Sequence, residues 1–156
     1  MPWFVVFKYL HIVTMFFAVA LAVSGELVLR RVATTLDPHA IRTTVERVQP
    51  LGTVASGLLA LGIVFGVIAA LTGQLNLFAP WLLLSYAAVA GAMVIAVRVT
   101  DPWVVRLGRA AAASAFDTRS EELRAVVEDR RAWWGTVALM ALIALIVFMM
   151  VVKPFS

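Results

Sequence analysis

The chain has 156 residues, 63% of them hydrophobic, with a mean hydropathy of +0.97. A soluble domain of this length is close to half apolar, so folding in water would leave apolar surface uncovered. The absence of cysteine excludes disulfides, iron–sulfur clusters and thiolate metal sites. The net charge of +4 does not signal nucleic acid either, because the arginines flank apolar spans, so the expected partner is the lipid bilayer.

The first apolar segment covers residues 3–29 and contains Lys8, His11 and Glu26. No basic stretch precedes its apolar run, and the run is longer than a signal core, so it is expected to be a membrane span rather than a cleaved leader. The connection 30–50 carries Arg30, Arg31, Arg42 and Arg47. Within it, Asp37-Pro38 reads as an N-cap followed by proline at the first helical position. Ile41, Val45 and Val48 continue from there at helical spacing.

The second span covers residues 51–71 and is marked by Gly57, Gly62 and Gly66. Residues 72–79 carry no charge, and the third span, 80–99, opens on Pro80-Trp81. The connection 100–132 is rich in arginine. In it Asp101-Pro102-Trp103 predicts a helix restart, and Thr118-Arg119-Ser120-Glu121 matches a capping box. The box predicts a helix through Leu123, Val126 and Val127 that runs on into the fourth span, 133–152. Trp81, Trp133 and Trp134 stand where aromatic belts stand.

Each span reaches the roughly 20 residues a helix needs to cross a bilayer. Backbone groups in lipid must be satisfied within the segment, and the runs are too long and continuous for barrel strands. The fold expected is an all-α bundle of four transmembrane helices forming a single integral membrane domain over residues 1–156. Of the 13 basic residues, 11 lie in the stretches 30–50 and 98–131, as do nearly all the carboxylates; only Lys8 and Lys153 fall toward the other side. The arginine side is therefore cytoplasmic, both termini lie outside the cytoplasm, and the expected location is the bacterial cytoplasmic (inner) membrane. Glu46-Arg47 followed by Gly52-Thr-Val-Ala55 recurs as Asp129-Arg130 followed by Gly135-Thr-Val-Ala138. Each copy enters an inside-to-outside span, which fits two repeated helical hairpins; two similar helix starts arising independently is the alternative.

Lys8, His11, Met15, Ala18, Ala22, Gly25 and Leu29 follow a heptad spacing and form one stripe, expected to face the bundle interior. His11 lies roughly 12 Å below the outer end of its helix. An ionisable group at that depth marks a candidate site, against the alternative of a neutral histidine bonded to a hydroxyl of a neighbouring helix. Lys8 is either an interface anchor or a partner for an anionic group such as a propionate. Counting inward places Gly62 to Gly66 and the Ser85–Tyr86 region at the same depth. The Gly62-xxx-Gly66 spacing permits close helix contact or leaves room for a flat cofactor. Haem b is the candidate group, with His11, Lys8, Tyr86, Gly62 and Gly66 as its binding residues. His39 is expected across the membrane, so a haem would be five-coordinate, use Tyr86, Met149 or Met150, or be shared between two chains. His11 with Met15 is the candidate pair for a soft ion such as Cu(I). No nucleophile–base arrangement or phosphate loop is present, so catalysis is not expected.

Lys8-Tyr-Leu-His11, the small residues and Gly25 after it, the glycine-spaced second helix, Gly73, Pro80-Trp81 and the closing Val-Val-Lys153-Pro154 together resemble a family of bacterial four-helix integral membrane proteins of unknown function. More distantly, the Lys8-x-x-His11 start is similar to CopD-type copper-resistance membrane proteins and HemJ-type protoporphyrinogen oxidases. The latter resemblance implies a haem role for His11. Three functions are expected from these readings: a haem- or metal-associated protein using His11, a non-catalytic accessory or assembly subunit of a larger membrane complex or homo-oligomer, or transport of copper or protons.

Overall fold

In a computed structural model that describes residues 2–114 and 120–154, the chain forms six helices: α1 (Pro2–Ala33), α2 (Pro38–Thr72), α3 (Pro80–Ile95), α4 (Asp101–Ala113), α5 (Glu121–Val127) and α6 (Arg130–Val152). A π-helical turn, Ala96–Thr100, joins α3 to α4. No strand occurs among the described residues. Four helical stretches are long and apolar enough to cross a membrane, so the protein is an all-α, multi-pass bundle. At 32 and 35 residues, α1 and α2 run to roughly 48–52 Å, well past a hydrocarbon core about 30 Å thick. Their charged ends therefore stand clear of the lipid.

The caps explain the helix ends. Asp37 has extended backbone and accepts from the N–H groups of His39 at 2.9 Å and Ala40 at 3.2 Å, with Pro38 at the first helical position. The helix that starts there continues through Pro50, so most of the connection 30–50 and the second span are one helix. At its far end Gly73 has ordinary helical backbone, and Gln74 takes the left-handed conformation, at φ 53°. Gly73 serves closeness instead: a Cβ there would lie 2.6 Å from the Phe4 ring.

Two expectations about the long connection are corrected. Asp101-Pro102 does not restart a helix; the chain stays helical from α3 through the π turn into α4. Pro102 cannot donate to the Arg98 carbonyl, and its ring would press on it, so the turn before it widens instead of breaking. The helix of Leu123, Val126 and Val127 does not run on into the fourth span. It ends at Glu128, and Asp129 caps a new helix by accepting from the N–H groups of Arg131 and Ala132. The cap of α5 is Ser120, which accepts from Leu123 N; Thr118 and Arg119 of the expected capping box lie outside the described residues.

The four spans form two antiparallel pairs. α1 lies along α2 over its whole length, with Phe4 against Gly73, His11 against Gly66 and Val48 against Gly25. α3 pairs with α6, with Leu142 near Gly91 and Val99 against Gly135. The pairs join at the arginine-rich end, where α4 packs on α2. Leu29, Ala33, Ile41, Trp103, Leu107, Ala110, Ala111, Leu123 and Ala132 form the buried core there. In the four spans only 11–22% of the most apolar stretch is buried, so most of that surface faces outward. Lipid leaves little drive to bury apolar faces, whereas water beyond the bilayer restores it.

Candidate functional site

His11 sits on the α2-facing side of α1, and Gly62 and Gly66 of α2 form the notch that receives it. Its Nδ1 lies 2.7 Å from the Gly62 carbonyl oxygen. A carbonyl only accepts, so Nδ1 carries the proton and donates. In the neutral ring this leaves Nε2 with its lone pair, and no hydrogen bond to Nε2 is made among the described residues. A Cβ at position 66 would lie 2.8 Å from Nδ1, so glycine there is what lets the ring reach the carbonyl one turn back. One turn further along, a Cβ on Gly62 would lie 2.6 Å from Met15 Sδ and 3.1 Å from Thr14 Oγ1. The Gly62-xxx-Gly66 surface is thus filled by the His11 and Met15 side chains. Thr14 donates to the Leu10 carbonyl at 2.7 Å, satisfying its hydroxyl within α1. Toward the end of the helix, Phe7, one turn from His11, stacks at a tilt on Phe65 and on Trp3.

The other expected site residues divide. Lys8 is exposed, with Nζ 5.8 Å from the centre of the Phe4 ring. Tyr86 is 44% exposed on α3, a helix that scarcely touches α1 or α2, so it is not brought to His11. Met149 and Met150 belong to α6, in the same separate pair. Ser85 is fully buried and donates to the Trp81 carbonyl of its own helix. Gly57 faces open space and is not part of the α1 contact. His39 stands in the first turn of α2 at the opposite end of the molecule. The heptad stripe is buried at Ala18, Gly25 and Leu29 and half-buried at His11 and Met15, but Lys8 and Ala22 are exposed, which corrects the expectation of a uniformly inward face. A straight α-helix drifts about 20° per heptad, so a 3.5-residue pattern leaves the contact line.

A second polar cluster closes the arginine-rich end. Arg30 Nε donates to Glu26 Oε1 at 2.8 Å, the i,i+4 pair visible in the sequence. Thr136 of α6 donates to the same oxygen at 2.6 Å, and Arg30 also reaches Thr136 Oγ1 and, at 2.7 Å, the Ala132 carbonyl. The guanidinium lies 4.4 Å over the Trp103 ring and 6.0 Å over Trp133. Trp103 Nε1 in turn donates to the Val126 carbonyl at 3.0 Å. One arginine of α1 thereby holds α6, α4 and, through Trp103, the end of α5. Thr136 was missed in the sequence because its partner is 110 residues away; the one available signal was its place in the Gly-Thr-Val-Ala repeat.

No group of three His, Cys, Asp or Glu side chains suited to a metal ion occurs among the described residues. The donors near His11 are its own Nε2 and, seated on Gly62, Met15 Sδ. No protein-family model, curated protein or solved structure matches the chain.

Proposed function

We propose that this protein holds a haem or a soft metal ion through Nε2 of His11, in the outer half of the bacterial cytoplasmic membrane. One observation carries the reading: the Nδ1–H of His11 donates to the Gly62 carbonyl at 2.7 Å. Metal-ligating histidines almost always donate the second ring N–H to a carbonyl or carboxylate, which fixes the tautomer and aims the other nitrogen. Here that orientation is produced by a two-glycine notch. The likeness of Lys8-x-x-His11 to CopD-type and HemJ-type starts points the same way.

The donor set limits what is held. Haem b would be held by His11 alone or together with His11 of a second chain. Imidazole and thioether together suit Cu(I), with Met15 as the second donor. Lys8, exposed and one turn closer to the helix start, would meet an anionic edge of a bound group. The group would supply redox or electron-transfer chemistry, and the chain would supply the orientation of the His11 ring.

The test is spectroscopic. Protein purified with full haem supply should show a Soret band that His11→Ala abolishes. Failing that, Cu(I) should be withdrawn from a chromophoric chelator, and His11→Ala should prevent it. Neither a Soret band nor Cu(I) uptake in the wild-type protein sinks the reading. An accessory role in a larger membrane complex has its own supporting observation: the two helix pairs are nearly separate away from the arginine-rich end, and Gly52 and Gly57 face open space. That reading expects a larger complex on native gels that His11→Ala leaves intact.

A further inference from the structure

Arg98, Pro102 and Arg106 are spaced four apart and follow one side of the continuous helix formed by α3, the π turn and α4. Asp129 and Arg131, at the start of α6, face that ridge. Between them lies a cavity of about 170 Å³ lined by Arg98, Val99, Pro102, Arg106, Asp129 and Arg131. Three guanidinium groups thus meet at one concavity against a single carboxylate.

That carboxylate is already engaged. Asp129 Oδ2 lies 2.6 Å from Arg106 Nη2, and Oδ1 caps α6. The side chains of Arg98 and Arg131 are exposed, with no hydrogen bond or ion pair to any described residue. The cavity therefore carries about two uncompensated positive charges. Its remaining walls, Val99 and Pro102, are apolar. It also lies where the apolar run of α3 ends and that of α6 begins at Trp133-Trp134, the level of a membrane interface.

We propose that this cavity binds the phosphate of an anionic phospholipid headgroup. Guanidinium forks match phosphate oxygens, and basic pockets between membrane helices take such headgroups. The apolar walls and the interfacial level favour a lipid over a phosphate from solution, since a lipid places its glycerol and acyl chains beside Val99 and Pro102. The site shares no residue with the His11 notch, so it stands or falls independently of the haem or metal reading.

Native mass spectrometry of the intact chain in detergent, with equal amounts of phosphatidylglycerol and phosphatidylcholine, tests it. One phosphatidylglycerol should be retained per chain in preference to phosphatidylcholine. The double variant Arg98→Gln/Arg131→Gln should lower that retention roughly tenfold or more. Both side chains are exposed and bond no other described residue, so helicity by circular dichroism should not change. Arg47→Gln/Arg109→Gln removes the same charge elsewhere on that side and should leave retention intact. Asp129→Asn keeps a capping side chain while deleting the negative charge, and should raise retention. Equal retention of the two lipids, or equal loss in both double variants, overturns the proposal. So does calorimetric binding of inorganic phosphate that depends on Arg98 and Arg131 without any lipid preference, which would assign the cavity to a soluble anion.

Discussion

The two helix pairs both rest on glycines, but they use them for different ends. In the α1/α2 pair, Gly62 and Gly66 receive polar or polarisable side chains, His11 and Met15, and one of them gains a hydrogen bond to backbone. Where α6 meets α3 and the π turn, Gly135 and Gly91 receive Val99 and Leu142, and the contacts at these two glycines are apolar. A glycine in a membrane helix lets a neighbour approach, and the neighbour decides whether the result is packing or a site. The pairs meet at a third kind of contact, the Glu26–Arg30–Thr136 cluster, which belongs to neither glycine surface.

The largest effect is expected at that junction. Arg30→Ala leaves Glu26, which is only 8% exposed, without its cation and removes the guanidinium from Trp103 and the Ala132 carbonyl. Breaking one side of a buried ion pair costs about 3–5 kcal/mol. Thermal unfolding in detergent, followed by far-ultraviolet circular dichroism, should show a large drop in the midpoint. A cross-link between α1 and α6 should also form less readily. An unchanged midpoint would mean that the two pairs hold together without Arg30.

Next is Gly66→Ala. The added Cβ would lie 2.8 Å from Nδ1 of a ring that is already bonded to the Gly62 carbonyl, so the ring must leave its notch. Overpacking of this kind costs about 1–3 kcal/mol. It should also weaken whatever His11 binds, since Nε2 would lose its orientation. A Soret band or Cu(I) affinity that survives Gly66→Ala unchanged would separate ligand binding from the notch.

How much of this was legible beforehand follows from how local each signal is. The spans were readable because hydropathy is summed over some 20 residues, and the Asp37-Pro38 cap because its bonds reach only two and three residues ahead. Asp129 carries an equally local capping signal, yet the apolar positions Leu123, Val126 and Val127 before it suggested an uninterrupted helix. The spacing of Gly62 and Gly66 marked a close contact, and depth counting brought His11 to the right level. Which atoms would fill the notch depended on how α1 is rotated against α2, which a heptad pattern on a 3.6-residue helix does not determine. Arg30's links to Thr136, Ala132 and Trp103 were beyond reach, because they join the first helix to the last hundred residues of chain.

The smallest effect, at Gly52, tests the repeat itself. Gly52 and Gly135 occupy the same place in the Gly-Thr-Val-Ala sequence, each near the start of an apolar run that leads away from the arginine-rich end. No described residue lies within 4 Å of where a Cβ on Gly52 would stand, whereas a Cβ on Gly135 would lie 2.6 Å from Val99 Cγ1 and 3.3 Å from its Cβ. Valine is stiff at χ1, so Val99 has little freedom to swing aside. Gly135→Ala should therefore cost about 1–3 kcal/mol. Gly52→Ala should be neutral or stabilise by up to about 1 kcal/mol, because alanine is the better helix former and meets no neighbour. The pair of variants, melted side by side, reads out whether the two hairpins are equivalent in energy as well as in sequence. If Gly52→Ala destabilises as much as Gly135→Ala, the open face of α2 is covered by something outside this chain, and the two copies of the repeat both lie in helix contacts.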